Sequence, residues 1–67
     1  MPESQAVTVK NIREGDSFVR DGNGWTATAD AVTHAGQVSV QVQYVPDGGI
    51  GYREWDDPEM VLEVERA

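Results

Sequence analysis

The sequence predicts an all-β domain, a small antiparallel barrel of five or six short strands with one 3₁₀ turn before the last strand. Apolar residues occupy every second position from Val38 to Tyr44, which is the period of a strand with one buried face. The segment Asp21–Gly24 contains Asp-Gly and Asn-Gly, the pairs that favour the tight turns of β-hairpins. Short apolar runs separated by glycine-containing turns continue along the chain, a pattern typical of small antiparallel barrels.

The first two strands are predicted on either side of one turn. The polar residues 1–5 are expected to form a flexible tail, followed by a single domain over residues 6–67. Val7–Val9 begins the first short strand, and Ser17–Arg20 forms the second. Between them, Ile12–Asp16 is predicted as a turn, because it contains a glycine that can adopt a positive φ.

The segment Trp25–Thr33 permits two interpretations. From Trp25 to Ala31 its odd positions are Trp and Ala, and they alternate with Thr and Asp, as in a strand whose inner face needs small residues. Alanine also favours helices, but a helix would place several β-branched residues in its body, where they lose χ1 freedom. The strand is therefore favoured.

The second half of the chain begins with the long strand Gln37–Tyr44 and continues through a loop over Pro46–Gly51 to a short strand, Tyr52–Trp55. Asp57–Met60 begins like a helix, with Asp as N-cap and Pro at the first helical position. Only one 3₁₀ turn fits there, because Val61–Glu65 resumes the alternation of a strand. The expected inner positions of this last part are Met60, Leu62 and Val64.

Three segments carry a resemblance to known proteins: Arg13–Val19, the hairpin around Pro46–Gly49, and Trp55–Val61. Together they resemble the SH3-like barrels common in bacterial and phage proteins. The Ala-Leu-Tyr-Asp-Tyr, Trp-Trp and Asn-Tyr-Val segments of peptide-binding SH3 domains do not occur, so the groove for Pro-x-x-Pro ligands is not carried over. The resemblance implies a fold and no function. Frequent Val, Ala, Asp and Gly, and Arg over Lys, are typical of a GC-rich bacterium or its phage.

Charge and length restrict the class of protein. Twelve acidic residues against five basic ones give a net charge of −7 over 67 residues. Nucleic acids and anionic membranes are bound through Lys and Arg, so this balance favours a basic protein partner or solubility alone. No apolar window reaches the length of a signal peptide or membrane span, and we expect a cytoplasmic protein without membrane contact. Pairing with a second copy, as a homodimer, would add to the thin core of so short a chain.

Catalytic and metal chemistry find no support in these residues. The chain has no Cys and a single His, His34, so the usual nitrogen and sulfur ligands of a transition metal are not available as a set. The hydroxyl residues show no spacing typical of a catalytic triad. The interior of a barrel this small is filled by side chains. We therefore expect no enzyme and no cofactor.

Candidate partner-binding residues follow the central hairpin. Tyr52 and Trp55 lie on opposite faces of one short strand, so at least one of them is expected to be exposed. The carboxylates of Glu54, Asp56 and Asp57 are adjacent in sequence. An exposed aromatic beside carboxylates suits a basic protein surface.

One further group of residues extends this candidate surface, and a second group is considered for it. The outward positions of the long strand include Gln41 and Gln43, an uncharged stripe in an otherwise acidic chain. Trp25 and Tyr44 lie on inward positions and are predicted to fill the core. The alternative is that these two aromatics join those of the short strand in an aromatic-acidic cage for a cation.

Three functions remain open. The first is a non-catalytic interaction module that binds a protein through the residues above. The second is an acidic inhibitor that imitates nucleic acid, which requires the six carboxylates of Glu54–Glu65 to lie in two rows across one face; protection of a sheet edge also explains such charges. The third is a weak nucleic-acid-binding barrel that uses Lys10, Arg13, Arg20 and Arg53.

Overall fold

The computed structural model describes residues 3–66, and strands account for most of them. Within these residues the seven strands are β1 (Glu3–Thr8), β2 (Ser17–Arg20), β3 (Asn23–Ala27), β4 (Val32–His34), β5 (Gln37–Tyr44), β6 (Ile50–Trp55) and β7 (Val61–Arg66). A 3₁₀ helix, Val9–Asn11, follows β1. Every strand pair is antiparallel. The predicted all-β antiparallel fold is confirmed, with one strand more than the expected five or six.

Strand β5 organises the sheet. β6 pairs with one of its edges, and β3 and β4 share the other. From β3 the sheet continues through β2 and β7 to β1, and it curls into a half-barrel. In the described part of the chain, β2 and β7 are joined by a single register pair, Ser17 and Glu65. The sheet is therefore weakly connected at that point.

The predicted core of the long strand is confirmed. Val38, Val40 and Val42 are fully buried, and Tyr44 is half-buried against them. The alternate side chains of β5 point outward, because successive residues of a strand face opposite sides of the sheet. The other buried apolar residues are Val9, Ile12, Phe18, Trp25, Ala27, Trp55 and Val64.

The predicted strand Trp25–Thr33 is divided into β3 and β4. Between them, the Ala31 N–H donates to the Ile12 carbonyl at 2.9 Å, and the Glu14 N–H donates to the Asp30 carboxylate at 2.9 Å. These bonds draw the chain away from β5 and towards the turn that precedes β2. Both halves still lie along the same edge of β5, so the choice of strand over helix is confirmed for this segment.

Strand β1 starts earlier and ends earlier than expected. Glu3–Gln5, which the sequence places in the flexible tail, pair with β7; residues 1–2 lie outside the described residues. At the other end, Val9 leaves the strand and enters the 3₁₀ helix. Val9 and Ile12 are three residues apart, a spacing that 3₁₀ geometry brings to one side, and both are buried in the core.

The hairpin turn between β2 and β3 has the predicted type. Asp21 and Gly22 adopt φ angles of 55° and 78°, the two positive values of a type I′ turn. The turn brings Arg20 opposite Asn23. The twist of this turn matches that of the flanking strands, which fixes the register of the hairpin.

The predicted turn before the last strand is present as a single hydrogen-bonded turn, whereas the 3₁₀ helix of residues 3–66, Val9–Asn11, lies after the first strand and was not expected there. The Met60 N–H donates to the Asp57 carbonyl at 3.1 Å, and the Glu59 N–H donates to the Asp57 carboxylate at 3.0 Å. After this turn Leu62 is half-buried and Val64 is buried, as expected, but the Met60 side chain is exposed. Met60 precedes the paired residues of β7, so the strand alternation does not direct its side chain inward.

Candidate interaction surface

The outer side of β5 gathers several of the candidate residues. Gln41 stands opposite Tyr52 of β6, and Gln43 stands opposite both Ile50 of β6 and Thr26 of β3. Partners in an antiparallel register share one face of the sheet, so these five side chains form one patch outside the half-barrel. None of the five carries a charge. We call this patch the neutral face.

Two large side chains project from the neutral face. Tyr52 is 61% exposed and Ile50 is 60% exposed. The Gln43 amide donates to the Gly48 carbonyl at 3.2 Å, which ties one edge of the patch to the β5–β6 turn. Tyrosine offers an apolar ring and a hydroxyl together, a combination enriched at protein interfaces. Because paired strands hold the backbone of these residues in place, little backbone conformational entropy is lost when a partner binds.

Trp55 does not belong to this surface. It stands opposite Val38 on the inner face of β6 and is 6% exposed. Its ring meets Phe18 edge-on, with ring centroids 5.7 Å apart, and the Arg20 guanidinium lies 4.7 Å from the ring centroid. The structure therefore corrects the expected role of Trp55: it fills the core, and Tyr52 is the exposed aromatic of β6.

The four large aromatics do not form a common cage. Trp25 and Tyr44 pack in the core with ring centroids 4.9 Å apart, whereas Tyr52 lies on the outer side of the sheet. The Arg53 guanidinium stacks on Trp25, 4.0 Å from its ring centroid. The face of Trp25 thus contacts a cation supplied by its own chain.

Acidic residues lie at the end of β6, beside the neutral face. Glu54 stands opposite Ser39 and is exposed. Asp56 is exposed and accepts a hydrogen bond from the Gln37 amide at 3.2 Å. We call Glu54 and Asp56 the acidic margin. Asp57 uses its carboxylate to cap the turn before β7, so its role is structural.

The six carboxylates of the C-terminal segment are spread over separate parts of the fold. Glu63 and Glu65 lie on β7, which is separated from β6 by β2, β3 and β5 in the sheet. Glu59 forms an ion pair with Lys10, and Glu63 accepts a hydrogen bond from Ser4 at 3.0 Å. The full set is Glu54, Asp56, Asp57, Glu59, Glu63 and Glu65. They do not form the two rows on one face that imitation of nucleic acid requires.

The basic residues considered for nucleic-acid binding are also dispersed. Arg20 and Arg53 lie against tryptophan rings of the core. Lys10 is paired with Glu59, and Arg13 lies in the turn before β2. Residues 3–66 therefore present no continuous basic surface of the kind that phosphate binding needs.

Ile50 is the residue of the neutral face that local patterning misses. The sequence places it in the loop Pro46–Gly51, but β6 begins at Ile50, two residues earlier than expected. The reason is long-range pairing, because Gln43 of β5 extends the ladder to Ile50. Ile50 and Tyr52 are two residues apart, so a strand that contains both places them on one face. This spacing is the signal in the sequence that assigns Ile50 to the neutral face.

Comparison of the chain with protein-family models, with curated proteins and with solved structures finds no match. Residues 3–66 contain no helix with the length and apolar character needed to cross a membrane. In the same residues, no three His, Asp or Glu side chains are grouped so that they could hold a metal ion.

Proposed function

We propose that this protein is a non-catalytic interaction module, an SH3-like half-barrel of the cytoplasm that binds a protein partner through its neutral face. The exposure of Tyr52 on an uncharged patch is the observation that carries the proposal. Tyr52 is exposed, it stands opposite Gln41, and the patch around it lacks charge in a chain whose residues are 25% charged.

The composition of the neutral face supports protein binding rather than simple solubility. The centres of protein interfaces are depleted in charged residues and enriched in aromatic ones. Solubility favours the opposite, a surface of mixed charges with few exposed aromatic and large aliphatic side chains. Tyr52 and Ile50 expose most of their area side by side with two glutamines, which offers both apolar contact and hydrogen bonds.

The acidic margin supports a partner with basic residues beside an apolar contact. Glu54 and Asp56 follow Tyr52 closely on β6 and its end. Complementary charges at the rim of an interface mainly raise the association rate, and this effect weakens as salt is added. Binding is therefore expected to be sensitive to salt, with the apolar contact at Tyr52 providing specificity.

The test is capture of proteins from a lysate of the source organism by the immobilised chain, at low and moderate salt, with and without nuclease. Three baits are compared: the wild type, Tyr52→Ser, and Val61→Ser as matched control. Val61 is 64% exposed on β7, outside the neutral face. Loss of an interface tyrosine costs about 2 kcal/mol when it is a hot spot, or roughly 30-fold in affinity.

The proposal predicts a nuclease-resistant protein that the wild type and Val61→Ser retain and Tyr52→Ser loses, with all three baits folded by circular dichroism. Equal retention by Tyr52→Ser contradicts it, and so does capture that depends on nucleic acid. Sedimentation of the purified chain distinguishes a second copy from a different partner, because a homodimer through the neutral face dissociates in Tyr52→Ser and persists in Val61→Ser.

A further inference from the structure

A cleft opens between β2 and β7 beyond the register pair that joins them. β2 pairs with β3 on one edge along Ser17–Arg20, and β7 pairs with β1 on one edge along its whole length. On their facing edges, β2 and β7 are connected within residues 3–66 by the single pair Ser17 and Glu65. Beyond it a cleft of about 380 Å³ separates Phe18 and Val19 from Leu62–Val64.

Six of the ten residues that line the cleft are apolar. Val19 is 64% exposed and Val45 is 59% exposed, and both lie at the opening. Deeper in the cleft, Phe18 and Val64 are core residues, and Leu62 is half-buried. The two exposed valines continue the apolar lining of the cleft to the protein surface, and contiguous exposed apolar surface is typical of binding grooves.

The charged residues that line the cleft are all acidic. Glu63 and Glu65 lie on the outward positions of β7, and both are exposed. The other residues that line the cleft are apolar or are Ser4 and Ser17; Lys and Arg do not occur among them. An occupant that carries Lys or Arg on its outer side is therefore complementary to this strand.

We infer that the cleft binds an extended segment of a partner protein in which apolar and basic residues alternate. The segment pairs with the free edge of β7, since an unpaired strand edge is a template for another strand. Successive side chains of a strand face opposite sides. The apolar side chains of the segment then pack against Phe18 and Leu62 inside the cleft, and its Lys or Arg side chains lie outside beside Glu63 and Glu65.

The cleft adjoins the neutral face, because the Ser17 and Thr26 hydroxyls lie 3.0 Å apart. It shares no residue with that face, and its test is independent of the proposed function. The probe is the peptide acetyl-Lys-Val-Lys-Val-Lys-amide, added to the intact ¹⁵N-labelled chain at low salt and followed by NMR. We expect chemical-shift changes and slower amide exchange at residues 18–20 and 62–65. The peptide acetyl-Glu-Val-Glu-Val-Glu-amide is expected to leave these amides unchanged.

Two double variants separate the site from the general attraction of a basic peptide to an acidic protein. Glu63→Lys with Glu65→Lys reverses the charge of the cleft, and we expect the Kd of the Lys-Val peptide to rise roughly tenfold. Glu54→Lys with Asp56→Lys changes the net charge of the chain equally but lies in the acidic margin. We expect that variant, and Tyr52→Ser, to keep the Kd within about twofold of the wild type.

The inference is overturned if millimolar Lys-Val peptide leaves residues 18–20 and 62–65 unchanged, or if the two double variants weaken binding equally. It is also overturned if the acidic peptide binds as well as the basic one. Each of these results leaves capture through Tyr52 unaffected, so failure of the cleft and failure of the neutral face are distinguishable.

Discussion

A buried ion pair ties the end of β7 to the turn before β2. The Asp16 side chain is 3% exposed, and its two oxygens accept hydrogen bonds from Arg66 Nε at 2.9 Å and Arg66 Nη2 at 3.1 Å. The Arg13 backbone N–H adds a third bond at 2.8 Å. Arg66 Nη2 also donates to the Asn11 carbonyl at 3.1 Å. We predict that Arg66→Met strongly destabilises the fold.

The magnitude follows from what the variant leaves behind. Met fills the space of the arginine stem, but within residues 3–66 the Asp16 carboxylate then keeps the Arg13 N–H as its one donor. Removing one partner of a buried ion pair costs about 3 kcal/mol at the lower end of the known range, which is appropriate because Arg66 is partly exposed. A chain of this length has a free energy of unfolding of roughly 3–10 kcal/mol. The midpoint of thermal unfolding should therefore fall by roughly 10–25 °C.

The assay is thermal and urea unfolding of the variant beside a matched control. Arg13→Met removes a neighbouring arginine that uses its backbone, not its side chain, to bind Asp16, and we expect a change within about 0.5 kcal/mol. Asp16→Asn combined with Arg66→Met should recover part of the loss, because no buried charge is then left unpaired. If Arg66→Met is as stable as Arg13→Met, the reasoning about the buried carboxylate is refuted.

Three further predictions concern the sheet and its turns. Val40→Asp should unfold the domain because it places an unpaired charge in the core, whereas Gln41→Asp should change the urea midpoint little; equal effects would show that the register of β5 is wrong. Arg53→Met should lower the free energy of unfolding by about 1 kcal/mol through loss of the cation–π contact with Trp25, with a change in tryptophan fluorescence; unchanged stability and fluorescence would argue against the contact. Gly15→Ala should cost about 1 kcal/mol, because φ is 93° there while the space for a methyl group is open; a neutral result in urea unfolding would mean that the turn relaxes.

Alternation along the chain predicts the strands because it is a local property. The pattern of β5 identifies Val38, Val40 and Val42 as core without knowledge of their neighbours, and burial confirms all three. The turn at Asp21–Gly22 is local in the same way, since Asp-Gly tolerates two successive positive φ angles. These parts of the fold follow from the sequence read in short windows.

For the candidate site, too, strand alternation predicts one part and the pairing of distant strands decides the rest. Because Tyr52 and Trp55 are three positions apart in one strand, alternation places them on opposite faces of the sheet. Alternation does not determine which of the two faces the core. The answer comes from the pairing of Trp55 with Val38 and of Tyr52 with Gln41, which lie more than ten positions away in the chain. The same pairing starts β6 at Ile50 and so completes the neutral face.

Contacts between distant segments account for what short windows do not contain. Asp16 and Arg66 are 50 residues apart, and the division between β3 and β4 depends on a hydrogen bond from Ala31 to the Ile12 carbonyl. The cleft exists because β2 and β7 diverge after one register pair. Period and turn chemistry act over a few residues, whereas the side of the sheet that is buried, and the place where the half-barrel stays open, depend on which strands meet in space.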